Sequence, residues 1–130
     1  MTTTYSIVPL SGSTDFRGVK ITTTASPGDT IHAAQASATL PDLVTLRLNN
    51  TDTVARPYKI QFGGTTSPDD FTDEGVLLPG QTLTVFHQRP IRNALVIKAA
   101  SITLTWVDGV SYAGAANVVV ASGHVQRQLT

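Results

Sequence analysis

DLVTLRLNN (42–50), RPYKIQFGG (56–64), LPGQTLTVFH (78–87), NALVIKAA (93–100) and ITLTW (102–106) decide how this chain folds. Each run alternates apolar and polar residues, and Asn, Gly, Pro and Asp punctuate them. A period of two sends alternate side chains to opposite faces of a strand. Val44, Leu46 and Leu48 are therefore expected to face inward, with Thr45, Arg47 and Asn49 outward. In the next run Tyr58, Ile60 and Phe62 face in, and Lys59 and Gln61 face out. Leu95 and Ile97, then Ile102, Leu104 and Trp106, continue the inward set. Short strands at this spacing predict an all-β fold, a single antiparallel β-sandwich of immunoglobulin-like or jelly-roll topology.

The composition agrees. Charged residues make up 14% of the 130 residues, against roughly 25% in ordinary domains. Three lysines and one glutamate leave few favoured helix-surface residues, whereas threonine, suited to a half-wet pleated surface, is abundant. A formal charge of zero gives no basic excess to neutralise phosphates, so no nucleic-acid partner is expected. With no cysteine, the chain has neither disulfides nor thiolate metal sites. No apolar run approaches the ~20 residues that span a bilayer, and the first residues lack the basic and apolar regions of a signal peptide. A protein made in the cytoplasm, with no membrane partner, is expected.

Outside the deciding stretch the pattern weakens. Residues 1–12 read as an N-terminal arm, 13–121 as the sandwich domain and 122–130 as a polar C-terminal tail. Pro9 confines the short extended piece before it to an edge. Residues 16–24 and 30–35 read as strands around a turn at Pro27 and Gly28. The Ala-rich piece 33–39 is too short to hold a helix by itself. Residues 64–74 read as a polar loop.

Few residues carry a hint of chemistry. Asp69, Asp70, Asp73 and Glu74 are rich enough in oxygen for Ca²⁺, but the spacing is not that of an EF-hand, and a solvated loop accounts for them. His32, His87 and His124 stand alone, without metal-ligand spacing. Residues 109–114 (GVSYAG) miss the GxSxG spacing of a nucleophile elbow. No catalytic residue, metal ligand or cofactor site is therefore expected. Arg89 and Arg92 flank Pro90 and suit either an acidic partner or a solvated turn. Trp106, Phe62 and Tyr58 fall on core faces, which leaves Phe71 as the ring expected to be exposed. Phe86 and Val107 sit where polar residues should be, and Val118, Val119 and Val120 are apolar on both faces. Either the sandwich buries both sides there or strand register is off by one, or an exposed apolar patch awaits a partner. The residues expected at an interface are Tyr5, Ile7, Val8, Leu10, Val118, Val119 and Val120.

The central block resembles a group of small virion proteins of tailed bacteriophages. The resemblance rests on LRLNN at 46–50, IQFGG at 60–64, LLPGQTL at 77–83, and ALVIKAAS at 94–101 followed by ITLT at 102–105. It covers about half the chain. It implies a β-sandwich on the capsid exterior that cements the head by binding the major capsid protein, and that forms a homo-oligomer, a trimer being favoured. A tail or head–tail connector protein, or a fibre or sugar-binding module, are the alternatives. Fold resemblance alone does not assign function.

Overall fold

The computed structural model describes residues 3–25, 28–62, 71–106 and 108–130. Every regular element among them is a strand: β1 (Tyr5–Val8), β2 (Val19–Lys20), β3 (Asp29–Ala33), β4 (Asp42–Asn50), β5 (Arg56–Phe62), β6 (Phe71–Leu77), β7 (Thr82–Ile91), β8 (Val96–Ala100), β9 (Leu104–Thr105), β10 (Ser111–Tyr112) and β11 (Val119–Gln128). One sheet runs β1-β11-β4-β7, with β2 also paired to β11; the other runs β3-β8-β5-β6. All pairings are antiparallel. Successive strands mostly cross from one sheet to the other, so β2, β4, β7 and β11 interleave with β3, β5, β6 and β8. Of the two expected topologies this order is the jelly roll, here a five-stranded and a four-stranded sheet wound together.

The core lies between the sheets, where the deciding stretch puts it. Val44, Leu46 and Leu48 of β4 are fully buried against Ile60 of β5 and Ile97 of β8. Each such side chain contributes roughly 1.5–3 kcal/mol by leaving water. Leu10, Ile21, Ile31, Leu77 and Val119 belong to the same cluster.

Several expectations change. The presumed arm and tail are sheet. β1 pairs with the last residues of β11, Tyr5 with Gln128 and Val8 with Val125. β11 itself is an interior strand, held by β4 along its whole length. Its inner face is Val119, Ala121, Gly123, Val125 and Arg127, which looks polar and loose as letters. The glycine at 123 lets β11 run close to the β4 backbone, and Arg127 is paired below.

Phe86 is buried, 4% exposed, although strict alternation places it outside. The β4–β7 register slips twice: Leu48 meets Leu83, Leu46 meets Phe86 and Val44 meets Arg89. Each slip adds a residue to β7, and an added residue turns the following side chains to the other face. Gln61, expected outside, is 3% exposed. Ile102, Leu104 and Trp106, expected inside, are only half-buried, because β9 and β10 form a separate hairpin off both sheets. The expected strand at 16–24 shrinks to β2, with Asp15 and Phe16 at positive φ. Residues 71–74 of the expected loop belong to β6. Asp69, Asp70, Val107 and the Phe71 side chain lie outside the described residues.

Candidate interaction surface

β1 ends its sheet, and its uncharged sequence YSIV exposes apolar side chains at that end. Tyr5 is 42% and Ile7 57% exposed. Paired residues on neighbouring strands share a face, so the register defines a row: Ile7, Gln126, Leu43 and Pro90, across β1, β11, β4 and β7. Tyr5 and Gln128 form the start of the next row. Four strands about 4.8 Å apart give the first row a length of about 14 Å, and none of these six residues is charged. At its far end Pro41, Pro90 and Arg92 line an open depression of about 250 Å³.

Directly beneath this row, on the inner face, lies a polar clasp that composition does not reveal. Asp42 is wholly buried and His32 is 1% exposed. Asp42 Oδ2 accepts from His32 Nε2 at 2.8 Å and from the Gln35 backbone N–H at 3.2 Å. Arg127 grips the same carboxylate with two donors, Nε to Oδ1 at 2.8 Å and a terminal N–H to Oδ2 at 2.9 Å. The Ser11 backbone N–H donates to His32 Nδ1 at 2.9 Å, which leaves the ring proton on Nε2, facing Asp42. The Ser11 hydroxyl oxygen accepts from the Ala33 N–H. Gln35 also donates to the Pro41 and Gln128 carbonyls. The clasp thus ties β3, β4, β11 and the segment after β1 together. It resembles a Ser-His-Asp set in residue types only: both His32 nitrogens are engaged, and neither is free to accept a proton from a hydroxyl.

The clasp makes the fold acid-sensitive. Burial pushes the His32 pKa below its usual 6.5, outweighing the opposite pull of Asp42. Burial alone would raise the Asp42 carboxyl, but the Arg127 and His32 hydrogen bonds hold it below 3.8. In both cases the unfolded chain takes up protons that the folded one refuses, so stability falls on acidification. The His32 contribution is whole above pH 6.5 and erodes below it; the Asp42 contribution erodes below 3.8. Asp73, half-buried and raised by that burial, acts in the opposite sense near the carboxylate range. The window from about pH 6.5 down to about 5 therefore reports His32, with a limiting slope of about 1.4 kcal/mol per pH unit. Urea midpoints measured across that window are expected to fall; a flat profile contradicts the clasp.

The residues expected at an interface divide. Tyr5 and Ile7 are exposed, and Val8 is half-buried against the core. Leu10 and Val119 are fully buried and belong to the molecule's own interior. Val118 and Val120 are half-buried, Val120 opposite Lys20 of β2. The exposed rings with described side chains include Phe16 and Tyr5. Arg89 is half-buried, its guanidinium 4.7 Å from the Phe62 ring centroid and 5.4 Å from that of Phe86. Phe62 and Phe86 meet edge to face at 5.4 Å and bridge the sheets. Arg92 is exposed beside the depression. Asp73 and Glu74 sit on β6 opposite Ile60 and Lys59, hence on opposite faces of the strand. Among the described residues no group of three or more His, Asp or Glu is placed to hold a metal ion. His87 is exposed and His124 half-buried, in different strands of the first sheet.

Sequence reasoning missed the clasp and the row, since both depend on register between strands far apart in the chain. The one available signal was the short polar run Gln126, Arg127, Gln128 following an apolar strand. Comparison with known protein families, with curated proteins and with solved structures finds no match to this chain.

Proposed function

We propose that this protein is a structural component of a bacteriophage virion, a decoration protein that cements the head by binding the major capsid protein. The uncharged outer row Ile7–Gln126–Leu43–Pro90 carries this reading, because surface of that kind on an otherwise well-satisfied sandwich suits permanent contact with another protein. The resemblance of the central sequence pattern to small phage virion proteins gives it direction. A subunit that binds the assembled lattice and not its free parts stabilises the lattice by mass action. The clasp holds β4 and β11 in fixed register beneath the row, so the surface is preformed and little ordering cost is expected on docking.

The test is cosedimentation of the purified chain with shells of the major capsid protein encoded in the same genome. Saturable binding at hundreds of copies per shell is expected. Joining Pro90→Asp to Gln126→Glu puts two charges into the row and is expected to weaken binding at least about tenfold, since a desolvated unpaired charge costs well over 1.4 kcal/mol. Absence of binding by the unaltered chain, or full binding by the doubly substituted one, rejects this assignment.

A further inference from the structure

We propose that two copies of this chain join edge to edge through β1, pairing Tyr5 with Ile7 of the second copy about a two-fold axis at Ser6. This goes beyond the virion reading and does not depend on it.

The backbone geometry suits a second copy of the same strand. The Thr4 carbonyl accepts from the Leu129 N–H at 2.8 Å, so Thr4 turns its backbone groups toward β11. Ser6 and Val8, two and four residues on, do the same, as their partners Arg127 and Val125 require. Tyr5 and Ile7 then aim their N–H and C=O groups away from the sheet, at an edge that no described strand pairs. In an antiparallel ladder two residues so oriented exchange both hydrogen bonds. Tyr5 against Ile7 of the second copy, repeated by the two-fold, makes four such bonds. The same register lays each Tyr5 ring against an Ile7 side chain, because paired residues share a face. The two most exposed residues of β1 are thus the ones the pairing covers.

The edges formed by β3, β6 and β7 carry devices that discourage such pairing. β3 is capped by residues 11 and 12: the Gly12 N–H donates to the Ile31 carbonyl and the Ala33 N–H to the Ser11 hydroxyl. β6 bears Asp73 and Glu74, and β7 bears Arg89, Pro90 and two register slips. β1 has no charge, and Pro9 limits its ladder to the four residues used. A stable interface buries about 800 Å² per partner, and four edge residues bury far less. The dimer is therefore weak in dilute solution and forms where copies are concentrated.

The chain contains no cysteine, so Ser6→Cys introduces a single reporter. Facing residues at the centre of this register have Cα atoms about 4.5 Å apart, within the range of about 4.4–6.8 Å that a disulfide bridges. Under mild oxidation Ser6→Cys is expected to form a covalent dimer at least about tenfold faster than Thr84→Cys, which sits exposed on the opposite edge of the sheet. Adding Ile7→Lys to Ser6→Cys is expected to abolish the advantage while the circular dichroism of the sandwich persists. Sedimentation of the unaltered chain is expected to show a mass rising toward two protomers with concentration. Equal cross-linking at positions 6 and 84, or fast cross-linking that persists in the variant joining Ile7→Lys to Ser6→Cys, overturns the proposal. Shell binding is read separately, so either result leaves the other interpretable.

Discussion

Replacing Asp42 by Ala is expected to lower the unfolding free energy by about 3 kcal/mol, with the urea midpoint shifted and the slope unchanged. Removing one member of a fully buried ion pair costs about 3–5 kcal/mol, because the partner keeps its charge without compensation. Here the side chain of Arg127 is 31% exposed and recovers part of that in water. His32 recovers nothing: its Nε2–H loses its acceptor at a site closed to solvent. A domain of ordinary stability has about 5–15 kcal/mol in total, so the loss is a large fraction. Asp42→Asn is expected to cost nearly as much. The carboxylate accepts from His32, Gln35 and two Arg127 donors, and an amide in either orientation sets its own N–H groups against a donor. A loss below about 1 kcal/mol for both variants, the size of an ordinary surface change, contradicts the described role.

Gly123→Ala is expected to destabilise the fold by about 2–6 kcal/mol, enough to prevent folding if the unaltered chain is marginal. Gly123 has φ of +152° in the middle of β11. A Cβ there overlaps the Thr45 carbonyl oxygen and crowds the Leu46 Cα at 3.3 Å. Those atoms belong to β4, a central strand packed on both sides, so they cannot retreat. The strained backbone contributes about 1–3 kcal/mol and the forced contact about 1–3 kcal/mol more. Gly80→Ala provides the contrast. It too has positive φ, +75°, but open space around its Cβ, so only the left-handed penalty of about 1–2 kcal/mol applies. Thermal unfolding of the pair separates the two causes; equal shifts in melting temperature contradict the close approach of β11 and β4.

Asp42 and Gly123 mark where the chain was not legible, and the central strands where it was. Val44, Leu46, Leu48, Ile60 and Ile97 could be placed from period two alone, because burial of one face is a local rule applied residue by residue. The same rule failed for Phe86, since the β7 bulges reset its phase and no letter in 82–91 announces them. It failed again for residues 122–128. There an interior strand needs a glycine where it runs close to the β4 backbone and an inward arginine for a buried carboxylate, so it reads as a polar tail. Of the expected interface residues, Tyr5 and Ile7 proved exposed, whereas Leu10 and Val119 proved interior.

Local patterning by itself therefore determined an all-β sandwich and most of its central core, because strand alternation and turn chemistry act over a few residues. Strand order, the meeting of Ser11, His32, Asp42 and Arg127, and the uncharged row ending at the open edge of β1 were decided only by the tertiary structure. Each depends on which distant strands become neighbours and in what register. That outcome is set by the packing of the whole core, and no short stretch of the chain contains it.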